Sequence, residues 1–351
     1  MTRLRLTSSV PVLPLVIAVA SLAPAPLAGQ TTPPATHVAG AAETWTVPRT
    51  ADGRPDLQGI WDFRTITPLE RPRALGPKEF FTDEEAAAYE RQENRRQNRD
   101  LIDPKVGGLN YPAGGVVPYN EAWYDRGNKV VKTKRTSLII DPPTGRIPYT
   151  SEGQKKADRR AKESQDTQLG HPIADSYEDR PLQERCLLGL NAGPPMTPGP
   201  YNNNVQLFQS PGYVVLLTEM VHDARIIPLD GRPFANIRQW KGESRGHFDG
   251  DTLVVETTNF KRETSFPGSS ANMRLIERFT RTDPNTLLYE FTVDDATTWA
   301  RPWTAAVPMS KTEGPIYEFA CHEGNYALPG ILAGARADEK AEKEAVKKSS
   351  Q

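Results

Sequence analysis

The sequence predicts a mainly β protein: an antiparallel barrel or two-sheet domain with two surface helices and long wrapping loops. Three observations point there. Short alternating segments follow one another from Asn204 to Cys321, each ended by turn residues. Gly242–Phe260, GESRGHFDGDTLVVETTNF, reads as a hairpin with chemically opposite faces. Thirty-two prolines and a 37% hydrophobic fraction leave a modest core among many loops.

Taken in order, residues 1–29 read as a secretory signal peptide. Arg3 and Arg5 supply its positive start, Val10–Leu22 its apolar stretch, and Pro24–Gly29 a small-residue cleavage region. Pro11 and Pro14 interrupt the apolar stretch, which is short for a bilayer. Gln30, not Cys, follows the cleavage region, so no lipid anchor is expected. Residues 30–44, rich in Thr, Pro and Ala, read as a flexible leader. The expected product is soluble and periplasmic or secreted, with no membrane association after signal cleavage.

Residues 45–200 read as a loop-rich, partly helical region packed on the core. Gly59–Phe63 looks like a short strand. Thr82 and Glu85 have capping-box spacing and open a charged helix to about Asn98. Between Asp100 and Arg135, glycines and prolines break regular structure while Tyr111, Tyr119, Trp123 and Tyr124 remain; such a loop wraps the core or lids a pocket. Thr136–Ile140 and Arg146–Tyr149 read as strands flanking a turn, and Ser151 with Gln154 opens a second polar helix to about Ser164.

Residues 201–330 are the expected antiparallel core. Its strands read as Val205–Gln209, Tyr213–His222, Arg225–Leu229, Ile237–Gly242, the hairpin, Met273–Arg281, Thr286–Val293, Arg301–Met309 and Ile316–Cys321. In the hairpin, Asp249-Gly250 suits a type I′ turn. Ser244, Gly246 and Phe248 then share a face with Leu253 and Val255, while Glu243, Arg245 and His247 lie on the other. Residues 331–351 form a charged tail, frayed helix or disordered, from about Ala337.

Removing the signal takes two of the 43 basic residues and none of the 44 acidic ones, leaving 41 against 44, or −3. Nothing in that balance suggests a nucleic-acid groove, so no nucleic-acid partner is expected. Cys186 and Cys321, the only cysteines, are expected to form a disulfide in an oxidising compartment.

Five histidines occur: His37, His171, His222, His247 and His322. His37 lies in the leader and His171 in a charged loop. His222 ends the most hydrophobic strand. It reads either as a structural imidazole or as a proton-transfer group oriented by Asp223. His247 is its candidate partner and Arg245 a candidate oxyanion stabiliser, provided the hairpin and the His222 strand line one cavity. The alternative is a solvated charged face. His222, His247 and His322 lack local metal-ligand spacing, so no metal is assigned. No phosphate loop, GxSxG elbow, haem motif or dinucleotide fingerprint occurs, and no cofactor is expected. Tyr201, Asn202, Asn203, Arg225, Trp299 and Trp303 are the candidate substrate-binding residues: amides for hydroxyls, a guanidinium, and indoles at a strand boundary.

Several phrases occur together: Arg54-Pro55-Asp56-Leu57-Gln58-Gly59-Ile60-Trp61, His222-Asp223-Ala224-Arg225, Ser244-Arg245-Gly246-His247 and Cys321-His322-Glu323-Gly324-Asn325-Tyr326. In these the chain resembles a large group of exported bacterial proteins, mostly uncharacterised, which implies export and no particular reaction. Gly59-Ile60-Trp61 is similar to the G-x-W opening of lipocalin barrels, which implies a lipocalin-like barrel. Two functions follow as expectations. One is an exported lyase, isomerase or hydrolase using His/Asp acid–base chemistry on a small organic or glycan-derived substrate. The other is a non-catalytic binding protein for an apolar or sugar ligand.

Overall fold

The computed structural model describes residues 45–108, 113–114, 119–168, 174–189, 191–262 and 269–349. The signal and leader, His37, Tyr111 and His171 lie outside them. Ten strands form one sheet: β1 (Gly59–Asp62), β2 (Ile139–Asp141), β3 (Asn204–Ser210), β4 (Tyr213–Thr218), β5 (Asp223–Pro228), β6 (Glu243–Asp249), β7 (Thr252–Thr258), β8 (Arg274–Asp283), β9 (Thr286–Asp294) and β10 (Trp303–Thr312). The order is β5-β4-β3-β1-β10-β9-β8-β7-β6, with β2 paired to β10 off this path. Among the described residues three α-helices accompany it, α1 (Asp83–Gln97), α2 (Ser151–Gln168) and α3 (Ala327–Ser349).

Alternation dictates which side of each strand is buried. In β8 and β9, Leu275, Glu277, Phe279, Leu287, Tyr289, Phe291 and Val293 point inward and are fully buried. Trp303 meets Phe291 edge-on at 5.8 Å, and Trp299 meets Trp303 likewise at 5.8 Å. Phe63, Leu138 and Met196, contributed by irregular segments, complete this core. β1 lies between β3 and β10, with Trp61 paired to Val205 on one side and Lys311 on the other.

The sheet is single, not two stacked layers, and its hydrogen-bonded path stays open. β5 and β6 share no ladder. They nevertheless approach: a Cβ added to Gly246 would sit 2.8 Å from Leu229 and 2.9 Å from Ile227. The sheet therefore curls until its edges meet through side chains.

The hairpin forms with its expected faces, Gly246 opposite Val255 and Phe248 opposite Leu253. Its turn sits one residue later than expected, at Gly250-Asp251. Only Gly250 has a positive φ, 57°, which is the II′ and not the I′ pattern. The α1 capping box is present, with Thr82 Oγ1 accepting from Glu85 N at 3.2 Å and Thr82 N donating to Glu85 Oε2 at 2.9 Å.

Three expected strands are missing. Ile237–Gly242 makes one parallel bridge, Gln239 to Phe260; Arg146–Tyr149 makes one antiparallel bridge, Tyr149 to Trp299. Ile316–Cys321 makes no ladder and leaves Tyr317 69% exposed, so it lacks the buried face a strand needs. β4 stops at Thr218, short of His222, because the chain turns there. The tail gains a third helix that begins well before Ala337. No helix among the described residues is long and apolar enough to cross a membrane.

Cys186 and Cys321 are disulfide-bonded across a separation of 135 residues. Replacing both by Ser is expected to lower the unfolding free energy by about 2–4 kcal/mol, since the bond restricts the unfolded chain. Urea denaturation measures this, and the far-UV CD of the sheet should persist below the new midpoint.

Candidate functional site

Sheet register gathers most of the expected site residues at one end. Asn204 opens β3, Thr218 closes β4 opposite Val205, and Asp223 opens β5 opposite Thr218. Tyr201, Asn202, Asn203, His222, Asp223 and Arg225 therefore share the end where β3 and β5 begin. His247 and Arg245 belong to β6 instead. β5 and β6 run in the same direction, because Lys241 meets Asp223 at 2.5 Å while Gly246 faces Ile227. Lys241 precedes β6, and His247 lies four residues beyond Glu243, about 13 Å along the strand at roughly 3.3 Å per residue.

The expected catalytic set is not assembled. His222 and His247 are both exposed, as is His322. His222 does not continue β4. It sits in a 3₁₀ turn with φ of 51°, after Val221 at 63°, and its backbone N–H donates to Glu219 O at 3.1 Å. Positive φ at a β-branched residue is strained. Asp223 pairs with Lys241, not with an imidazole.

Arg245 has its donors occupied. They reach Arg232 O at 3.1 Å, Pro233 O at 2.9 Å, Ser244 O at 2.8 Å and the Glu243 carboxylate, with Phe234 under the guanidinium. Glu243 also accepts from Ala235 N at 2.9 Å and Asn259 Nδ2 at 3.0 Å. Burial alone would raise the Glu243 carboxyl, but these hydrogen bonds outweigh it and hold the group below the usual range. Arg245 thus pins the 232–235 loop, which leaves no free fork for an oxyanion.

The expected binding residues divide. Trp299 and Trp303 are 1% and 0% exposed, core residues and not a rim, because the apolar layer of β9 and β10 continues beneath them. Asn203 is buried. Its Nδ2 donates to Asp125 O at 3.0 Å and Gly199 O at 3.1 Å, and its Oδ1 accepts from Gly199 N at 2.7 Å. Asn191 Nδ2 donates to the Asn202 carbonyl at 3.0 Å, so Asn202, in a left-handed conformation, belongs to the same loop staple.

Arg225 is the start of a buried polar chain. Its guanidinium grips Glu277 on β8 with two bonds of 2.6 and 2.9 Å, Tyr289 Oη donates to Glu277 Oε1 at 2.8 Å, and Met196 N donates to Tyr289 Oη at 3.1 Å. Burial alone would lower the Arg225 value; the Glu277 charge and hydrogen bond reverse that and raise it. Burial, and then Glu277, push the Tyr289 phenol well above its ordinary range. At the seam, burial lowers Lys241 against the opposing pull of Asp223. Glu277, Tyr289 and Lys241 escaped sequence reading; the inward alternation of Glu277 with Leu275 and Phe279 was the available signal.

Tyr201 alone joins a surface suited to contact. It lies 6.4 Å from Tyr124, ring to ring, and Arg99 and Arg126 stack on Tyr124 at 5.0 and 4.5 Å. Burial and the Tyr119 and Tyr124 phenols raise the Tyr201 value, opposed by a hydrogen bond with Gln183. Beside it Tyr119 is 53% exposed and Trp123 70% exposed. The loop expected to wrap the core or lid a pocket presents these two rings outward. Among the described residues, no three His, Cys, Asp or Glu side chains are grouped to hold a metal ion. Comparison with protein-family models, curated proteins and solved structures gave no match.

Two outcomes test the buried chain. Glu277→Gln or Arg225→Met alone should cost about 3–5 kcal/mol, whereas pairing Arg225→Met with Glu277→Leu should cost clearly less than the sum, read by chemical denaturation. Tyr289 keeps its proton in the fold above pH 10.0, where the unfolded chain releases it. Its stabilisation is therefore complete below that pH and lost above it. The stability difference between wild type and Tyr289→Phe should shrink by up to about 1.4 kcal/mol per pH unit above pH 10.

Proposed function

We propose that the protein is an exported, non-catalytic binding protein that takes a glycan-type ligand at the Tyr119–Trp123–Tyr124–Tyr201 surface. The observation that carries this reading is the pair of outward rings beside the tilted Tyr124–Tyr201 pair, in a protein whose other described tryptophans are buried or half-buried. Ring faces accept the C–H faces of a sugar, while phenols, Gln183 and Glu121 offer hydrogen bonds to hydroxyls. Rigid anchoring favours binding: Glu121 receives Arg126 at 2.8 and 3.1 Å and Arg99 N at 2.9 Å, so little entropy is lost when a ligand docks. The disulfide fits an oxidising compartment, and with it export.

The acid–base enzyme is the second reading, and one observation favours it. His222 is held outward on a strained turn, and strain of this kind collects at functional positions. In that reading His222 works without His247 or Arg245.

A glycan screen by thermal shift and calorimetry tests both. Binding is expected to quench Trp fluorescence through Trp123. Trp123→Ala should weaken binding about tenfold or more, equivalent to roughly 1.4 kcal/mol, with an unchanged melting temperature. Binding that survives both Trp123→Ala and Tyr119→Ala would overturn the site. Turnover abolished by His222→Ala would favour the enzyme.

A further inference from the structure

We infer that the Cys186–Cys321 bond is a redox-sensitive clamp on the aromatic surface, opened by a dithiol reductant and coupled to Tyr201 through Gln183, an inference that rests on the glycan-binding reading of that surface. Cys186 lies in a tight turn: its N–H donates to Gln183 O at 3.0 Å, and Leu187 N donates to Leu182 O at 2.9 Å. The Gln183 side chain shares a hydrogen bond with the Tyr201 phenol. The Cys321 sulfur lies 3.9 Å from the Gln183 carbonyl oxygen. One turn therefore carries the covalent bond and the support of Tyr201 together.

Cys186 has a φ of 56°, in the left-handed region that side chains seldom adopt. Backbone of this kind persists where its surroundings over-determine it, and the bond to Cys321 is the covalent part of those surroundings. The segment on the far side is held loosely. Ile316–Cys321 joins no ladder, Tyr317 and Tyr326 are exposed, and α3 buries no residue. The segment meets the body through polar contacts: Asn325 Nδ2 donates to Glu184 O at 3.0 Å, and Arg336 donates to Asp175 O at 2.8 Å and Ala174 O at 2.9 Å. Such hydrogen bonds contribute little net against the entropy of a released chain.

Accessibility sets the order of the chemistry. Cys186 is 6% exposed and Cys321 half-buried, so an incoming thiolate meets the Cys321 sulfur. A new S–S bond forms there with the reductant, the Cys186–Cys321 bond breaks, and Cys186 leaves as a thiolate that takes up a proton. The second thiol of the reductant then attacks its own mixed-disulfide sulfur and releases Cys321 as a thiol. Two electrons and two protons pass from the dithiol to the two cysteines. The turn loses its tether, and Gln183 its fixed place beside Tyr201.

The test compares the full mature chain oxidised and treated with dithiothreitol, with the free thiols counted by alkylation and mass. On reduction, hydrogen exchange should rise about tenfold or more in 181–189 and 316–336 and spread to Tyr201, while β8 and β9 remain protected at short labelling times. Affinity for cellohexaose as glycan probe should fall about fivefold or more on reduction, and Gln183→Ala should give a similar loss with the bond intact. Fully reduced protein that exchanges like the oxidised form overturns the clamp, and so does loss of protection in β8 and β9, which is global unfolding. Faster exchange at the clamp with no change in 119–126 or at Tyr201 overturns its coupling to the surface. Absence of cellohexaose binding by the oxidised protein counts against the binding reading alone, and the exchange data still decide the clamp.

Discussion

The four residues of β1 hold the sheet together. β3, β4 and β5 form one antiparallel meander and β6 to β10 another, and in the hydrogen-bonded path β1 alone joins them. Ile60, Trp61 and Asp62 each pair with both β3 and β10, so the strand is saturated on both sides. Trp61 anchors it from within: its indole donates to Leu57 O at 2.9 Å, and Arg281 lies over the ring. Because β1 precedes its partners by more than a hundred residues, the sheet completes only after a long loop closes.

Inside that sheet the polar chemistry serves architecture first. Arg225 and Glu277 tie β5 to β8 through the interior, and Tyr289 extends the link to the segment carrying Met196. A buried pair of this kind adds little net stability over an apolar filling but tolerates few alternative arrangements. The same holds for Arg245 and Asn203, whose donors are spent on neighbouring loops. The outward rings of Tyr119 and Trp123 lie outside the sheet.

Much of the fold was legible locally. Inward alternation marked β8 and β9, the Thr82–Glu85 pair marked α1, and the two cysteines marked their bond. The insertion of β1 was not legible, since its partners are set by tertiary context and not by the four residues themselves. Ile316–Cys321 shows the opposite failure, strand-like composition without a ladder, and Ile237–Gly242 makes only the single bridge from Gln239 to Phe260. At the candidate site the hairpin faces were read correctly, yet the roles of Arg245 and Asp223 were not. Their partners, Glu243 with the 232–235 loop and Lys241, are fixed by how loops return to the sheet, and no spacing rule encodes that. Trp299 and Trp303 were misplaced because a strand boundary in sequence here lies beneath other segments.

The unladdered gap between β5 and β6 has a consequence for solubility. An open sheet ordinarily offers two rows of unsatisfied backbone groups as templates for neighbouring molecules. Here each margin is turned toward the other, with Lys241 and Asp223 as charged guards at one end. Margins that face one another leave less of those rows open to a strand from another molecule.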